Sequence, residues 1–272
     1  MGDPFRQFYE QVGERYPEQD IVYNTLSGML RKKWIFRKLQ DMPAGNLLDC
    51  GCNIGTLSRE WRSGHVFGID ISYAVLKKGR DHVPSTNFIQ ADLCDLGMIR
   101  SASIDNAIAC EVIEHLEKPE SFLRHLYNTM KIGGYLLITS PNFTRSRPTF
   151  VPLGIMRSFG VTAGIQGGQY LHTAYKPGEL AEMASDAGFT VVEQGSFEYE
   201  LRGWLKPLNM VKNAFEALGA KLFPVSKLYR LIERFMNRIA LNAFLVLDTF
   251  FFSRILRWIF KEGRRSYIVA KK

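Results

Sequence analysis

Cysteine is scarce in this chain, and the few present follow no pairing pattern. Four stand among 272 residues: Cys50, Cys52, Cys94 and Cys110. No C-x-x-C pair exists, which argues against a zinc-ribbon scaffold, and Cys50 and Cys52 stand too close for an ordinary disulfide. Small buried thiols in a reducing compartment are expected, and with them a cytoplasmic location. Long apolar runs are also missing. In the apolar C-terminal region the longest stretch without a basic residue is 239–253, fifteen residues that include Asp248. A membrane-spanning helix needs about 20 mostly apolar residues. The opening residues "MGDPFRQFYEQVGERYPEQD" are polar and lack the apolar core of a secretory signal. Internal repeats and low-complexity tracts are absent.

What is present suffices for a packed core: 46% hydrophobic residues, 12% of the chain aromatic. The net charge of +8 is local. Residues 204–265 carry twelve Lys/Arg and four Asp/Glu, and the remainder balances at 23 of each sign. The whole basic excess therefore sits in one segment.

Apolar positions at helical spacing in 20–40 predict a helix, which "MPAGN" ends. A regular alternation follows. "NLLDC", "HVFGID", "NFIQADL", "SIDNAIAC" and "KIGGYLLITSPN" read as strands; "TLSREW", "SYAVLKKGRDH" and "PESFLRHLYNTM" read as helices. This spacing predicts an α/β fold, a parallel sheet with helices on both faces. Residues 143–170 read as an irregular excursion. "KPGELAEMASDAG" is a helix closed by Gly188, "FTVVEQGSFEYE" a sixth strand and "RRSYIVAKK" a seventh. The expected division is an N-terminal helical segment 1–45, a core 46–200, an amphipathic helical insertion 201–265 and a final core strand 266–272.

Ligands of such sheets bind at the carboxyl ends of the strands. Asp49, Asp70, Asp92 and Glu111 all fall there. "LLDCGCNIGTL" places a glycine-rich turn between a strand and a helix, which dinucleotide sites share. Here an acid, Asp49, precedes the glycines, where a pyrophosphate would be repelled and a cationic ligand favoured. Gly51 and Gly55 allow close backbone approach, and Asp70 is placed to accept two hydroxyls.

With "LLDCGCNIG", "FGIDIS", "FIQADLCDL", "IDNAIACEVIEHL" and "MKIGGYLLITSPN" in order, the sequence resembles the class I S-adenosylmethionine-dependent methyltransferases, of the methyltransferase type 11 and ubiquinone-pathway O-methyltransferase kind. The resemblance spans 46–193. It implies a Rossmann-like seven-stranded sheet whose last strand is antiparallel and inserted between strands five and six. It also implies that Asp49, Gly51, Cys52, Gly55, Asp70, Ile71, Asp92, Leu93, Cys110 and Glu111 hold S-adenosyl-L-methionine, with Asp70 on the ribose and Asp92 near the adenine amino group. Asn53 departs from the family's usual glycine. Asn tolerates left-handed backbone angles better than most residues, so the loop is expected to keep its shape.

"CEVIEHLEKP" puts Glu111, Glu114 and His115 at i, i+3 and i+4, one face if the stretch is helical. The same E-x-x-E-H stands in the ubiquinone-pathway enzymes and in Hen1-type small-RNA 2′-O-methyltransferases, where a later histidine completes a metal site. His172 is the candidate here. Glu111, Glu114, His115 and His172 are thus candidate ligands of magnesium or a similar divalent cation. His115, His172 and Glu111 are candidate catalytic groups that deprotonate an acceptor hydroxyl with or without a metal. A structural role for His115 stands beside these readings.

In 204–265, Arg254, Arg257 and Lys261 alternate with Ile255, Leu256, Trp258, Ile259 and Phe260, a pattern that suits a membrane interface. A lid over the core is the alternative; an RNA surface fits less well, because the basic residues alternate with large aliphatics. The expectation is a cytoplasmic enzyme peripheral to the membrane that methylates a lipophilic, isoprenoid- or quinone-type small molecule, most readily at oxygen. The rivals are a Hen1-like RNA enzyme, a small-molecule C- or N-methyltransferase, and a cofactor-binding scaffold without turnover. The sequence leaves oligomeric state open.

Overall fold

The computed structural model describes residues 3–142, 150–199, 237–239, 241–242, 245–246 and 252–272. Most of the expected insertion 201–265, and residues 143–149 of the expected excursion, lie outside the described residues.

Leu47 and Leu48 are fully buried, and the short apolar run they open forms β1 (Leu47–Cys50) inside a seven-stranded sheet. β2 (Val66–Asp70), β3 (Thr86–Gln90), β4 (Ile104–Cys110) and β5 (Met130–Pro141) join it. The pairs β1–β2, β2–β3, β1–β4 and β4–β5 are all parallel. A separate two-stranded sheet pairs β6 (Phe150–Pro152) with β7 (Gln169–Leu171). The main sheet is completed by β8 (Thr190–Phe197) and β9 (Arg265–Lys271), in the order β3-β2-β1-β4-β5-β9-β8. β9 runs antiparallel to β5. The seven-stranded sheet with its inserted antiparallel last strand matches the expectation.

Side chains alternate across the sheet. Leu48, Cys50, Ala107, Ala109, Leu136, Ile138, Ile268 and Ala270 share one cluster with Phe122, Leu123, Leu126 and Leu180. Their neighbours in the strands, Leu47, Ile108 and Leu137, are fully buried as well, so both faces are covered.

The helices follow local rules. α1 (Pro4–Arg15) starts behind Asp3, whose side chain accepts the Phe5 N–H at 2.9 Å. α2 (Leu26–Gln40) follows a π-helical turn at Gln19–Tyr23. α3 (Tyr73–His82) is capped by Ser72. α4 (Pro119–Thr129) carries proline in its first turn, where no donor is lost, and buries Phe122, Leu123 and Leu126 on one face. α5 (Pro177–Asp186) is stopped by Gly188, whose φ of 104° only glycine adopts readily. α6 (Phe252–Ile259) lies just before β9.

One expected helix is replaced. "TLSREW" forms only a short 3₁₀ turn at Ser58–Glu60. Three residues just before it, Gly51, Asn53 and Gly55, have φ of 69°, 50° and 78°. The chain becomes extended again at Trp61, whose indole N–H donates to Gly45 O at 3.0 Å. The excursion is less irregular than expected, with β6, a 3₁₀ helix at Gly154–Phe159 and β7.

The chain divides into two compact units: Met1–Pro17 with Ile35–Gly195 and Arg265–Lys272, and Glu18–Trp34 with Ser196–Arg264. This cuts the chain differently from the four-part division expected, because 18–34 groups with residues after 195. Within the second unit Arg31 and Glu198 form an ion pair at 2.9 Å, with side chains only 5% and 2% exposed. Trp34 stacks on Phe197 at 4.0 Å, and Asn237 Nδ2 donates to Asn24 O.

Leu126 is wholly buried between α4 and the sheet. Leu126→Ala should destabilise the protein by about 2–5 kcal/mol, read as a lower midpoint in urea denaturation.

Candidate active site

The strand order reverses between β1 and β4. The crevice beyond their carboxyl ends is where open α/β sheets bind ligands, and the predicted residues converge there.

The loop after β1 is shaped by backbone sterics. A Cβ on Gly51 would lie 2.5 Å from Val112 Cγ2. Asn53, expected to tolerate the family's glycine position, does adopt a left-handed φ of 50°, and its N–H donates to Asp70 Oδ2 at 3.0 Å. Ser72 N–H donates to Asp70 Oδ1 at 3.0 Å. Asp70 thereby ends β2 with both oxygens oriented toward the loop, each keeping a second lone pair for a ligand hydroxyl.

Asp49 is 2% exposed, and its Oδ2 has no hydrogen-bond partner among the described residues. Burial pushes its carboxyl up to about 7; the nearby Ser58 hydroxyl pulls the other way and the Asp70 charge adds to the rise. A buried carboxylate oxygen without a donor fits a ligand ammonium. Burial also pushes the Asp70 carboxyl up, against the hydrogen bonds from Ser72 and Asn53. The donor set therefore fits S-adenosylmethionine: Asp49 for the cationic amino acid end, Asp70 for the ribose diol. Asp92 is exposed, and its Oδ1 accepts the Cys94 N–H at 2.8 Å. Cys52, Leu93 and Cys110 are buried, and Ile71 is half-buried with its carbonyl accepting from Gln90 Nε2.

The stretch after β4 is not the helix expected. Glu111 has a left-handed φ of 59°, and only Ile113–His115 form a 3₁₀ turn. Tertiary bonds hold this shape: Glu111 N–H donates to Thr139 O at 3.1 Å, and Thr173 N–H to Glu114 O at 2.8 Å. Glu111 therefore does not share a helical face with Glu114 and His115. Its Oε1 accepts the Thr139 hydroxyl at 3.0 Å, and its Oε2 meets Arg265 Nε at 2.6 Å. The four candidate metal ligands do not come together as a set.

Three of them do. Glu114, His115 and His172 each offer a ligand atom within 4.8 Å of the others. The chemistry of that donor set, one carboxylate and two imidazoles, fits a divalent cation. Leu171 O lies 2.8 Å from His115 Nδ1. A carbonyl can only accept, so Nδ1 carries the proton and the lone pair is on Nε2. Burial holds the His115 pKa below the ordinary value, although the Leu171 bond and the Glu111 charge oppose it. The ring is accordingly a neutral base near pH 7. Tyr9 and Tyr170 stand 6.2 Å and 5.9 Å from it, centroid to centroid, and His172 5.1 Å.

Arg265, Thr139, Tyr9 and Tyr170 were not singled out from sequence. In the sequence Arg265 reads as part of the basic excess and of the seventh strand, with nothing that marks it as a site residue. Its place in the site follows from the antiparallel register, which sets Arg265 opposite Pro141 at the carboxyl end of β5.

A methyltransferase domain profile matches residues 48–138. The ubiquinone biosynthesis O-methyltransferase of Acinetobacter baumannii (strain AYE) is 26% identical over 211 residues, 73% of this chain and 88% of that protein. A phosphoethanolamine N-methyltransferase 2 of Haemonchus contortus, solved with phosphomonomethylethanolamine and S-adenosylhomocysteine, shares the fold with a TM-score of 0.60 at 16% identity, over 98% of this chain and 60% of that one. A SAM-dependent methyltransferase from Archaeoglobus fulgidus does so at 0.51 and 20%, over 90% and 96%.

Asp49 yields a signed prediction. Its folded pKa of about 7 lies above the unfolded value of 3.8, so the ligand-free fold loses stability as pH rises from 3.8 through 7. Asp49→Asn should therefore raise the ligand-free melting temperature at pH 8, by about 2–4 °C per kcal/mol recovered. It should also weaken S-adenosylmethionine binding at least tenfold in calorimetry. Domain profile, relatives and sheet order agree: the chain carries a methyltransferase domain on the fold of the class I S-adenosylmethionine-dependent methyltransferases.

Proposed function

We propose that the enzyme methylates a hydroxyl on a lipophilic, quinone-type acceptor at a membrane surface. The observation that carries the reading is His115, whose Nδ1 is taken by Leu171 O and whose ring lies 5.1 Å from that of His172, 6.2 Å from Tyr9 and 5.9 Å from Tyr170. A hydroxyl is a weak nucleophile until its proton is removed. His115 Nε2 is the group to take that proton. The two tyrosines offer flat walls to a ring-bearing acceptor, and the Acinetobacter relative is named for ubiquinone biosynthesis. S-adenosylmethionine, when bound, would supply the electrophilic methyl, and Asp49 and Asp70 would hold its amino acid and ribose ends. A divalent cation held by Glu114, His115 and His172 would occupy His115 Nε2 and would then activate the hydroxyl by Lewis-acid lowering of its pKa, in place of the histidine base.

The membrane reading rests on α6. Trp258 is 87% exposed, and Ile255 and Ile259 are more than half exposed. Arg254 and Arg257 are exposed on the same helix, while Leu256 turns inward. Aromatic and aliphatic side chains flanked by arginines suit the boundary of an anionic bilayer. No helix among the described residues is long and apolar enough to cross a membrane.

Methyl-labelled cofactor, incubated with lipid, RNA and small soluble fractions of a cell extract, should label the lipid fraction; label in RNA would overturn the reading. His115→Ala should lower turnover at least about a hundredfold while S-adenosylhomocysteine still binds. Turnover should still hold at pH 6.5 and fall only further down, where His115, its pKa held below 6.5 by burial, becomes protonated. Loss of activity with a chelator, restored by magnesium, would assign Glu114, His115 and His172 to the cation. Replacing Arg254 and Arg257 by alanine should weaken binding to vesicles rich in phosphatidylserine about thirtyfold, at about 1 kcal/mol per basic side chain, as read by flotation.

A further inference from the structure

We propose that Glu10 is a cofactor ligand: its carboxylate takes a ribose hydroxyl of S-adenosylmethionine beside Asp70, and through it α1 closes over the bound cofactor. Glu10 Oε1 accepts the Ala74 N–H at 3.0 Å, in the first turn of α3. The open backbone donors and positive end of a helix favour a carboxylate there. The other oxygen, Oε2, is buried and has no hydrogen-bond partner among the described residues. Leaving such an oxygen unmet is unfavourable, more so when it is charged.

Asp70 is the neighbouring acid. Its two oxygens accept the Ser72 and Asn53 N–H groups and keep lone pairs to spare. Beyond the dominant effect of burial, the Glu10 charge contributes to the rise of the Asp70 carboxyl. Two carboxylates that feel each other's charge repel unless a donor-rich group comes between them. A vicinal diol supplies two O–H donors and no charge, and the ribose of the cofactor carries one.

The helix that bears Glu10 is fastened at both sides of the site. Gly13 lets α1 lie against the cap of α3, since a Cβ there would come 2.3 Å from Ser72 Oγ. Lys78 Nζ donates to Gly13 O and Glu14 O at 2.5 and 3.1 Å. On the acceptor side Phe8 packs with Leu153, Met156 and Val161, and Tyr9 adjoins His115. A ligand that secures Glu10 therefore also secures Tyr9, its neighbour in sequence. Cofactor binding should precede and order the acceptor wall.

The test is calorimetric binding of S-adenosylhomocysteine to the full chain and to Glu10→Gln and Glu10→Ala. Ligand-free melting and hydrogen exchange over residues 4–15 accompany it. Glu10→Gln keeps an acceptor for the Ala74 N–H and removes one of two repelling charges. It should weaken binding about tenfold without lowering the ligand-free melting temperature. The ligand should protect residues 4–15 in the wild type and less in the variants. For a 2′,3′-dideoxy analogue of the ligand the difference should shrink to within about twofold. Three results would each overturn the proposal: unchanged affinity in Glu10→Gln, an equal loss with the dideoxy analogue, or a loss matched by a fall in ligand-free stability.

Discussion

Four parallel pairings centred on β1 force the carboxyl ends of five strands onto one edge of the sheet. Everything chemical in this protein depends on that constraint. The backbone hydrogen bonds of the strands are spent inside the sheet, so the residues just past each end are free to take unusual conformations. Gly51, Asn53 and Glu111 use that freedom, with positive φ at each. The reversal of order between β1 and β4 parts the following loops, and the parting is where a cofactor fits.

The acids at that edge fall into two groups. Glu111 is neutralised within the protein, by Arg265 at 2.6 Å and the Thr139 hydroxyl. Asp49 and Glu10 each keep a buried oxygen that nothing in the described chain meets. A carboxylate that is already paired can orient a loop but has little left to offer a cation. One held buried and unmet raises the free energy of the empty site and lowers that of the occupied one. The difference is binding energy stored in the fold, and it explains why these acids tolerate a location that ordinary carboxylates avoid.

Much of this was legible in the sequence. The strands follow from the alternation of apolar runs with helical segments, and the inserted antiparallel last strand from the family resemblance that five motifs carry. Asn53 was readable because its side chain tolerates the left-handed region. The misses have a common cause, tertiary bonds that override local pattern. "TLSREW" has helical spacing but follows three positive-φ residues and ends where Trp61 reaches Gly45. "EVIEHL" has i, i+3, i+4 spacing, yet bonds to Thr139 and Thr173 hold it as a single 3₁₀ turn, which removes Glu111 from the Glu114–His115 pair. Arg265 and Tyr9 were invisible as site residues because distant pairing brings them there, β9 against β5 for one and α1 beside the His115 turn for the other.

The position of β9 also has a consequence for how the chain is made. β5 ends at Pro141 and its partner begins at Arg265. While the intervening residues are synthesised, one side of β5 has no strand to pair with. At 5–20 residues per second, that edge stands open for about 6–25 s, long enough for a bare strand to find a wrong partner. Its exposed backbone groups are then a hazard of the nascent chain, and the seven-stranded sheet closes from the middle rather than from an edge. Sequences in 142–264 are thus under a kinetic constraint as well as a functional one: they have to leave β5 vacant until β9 arrives.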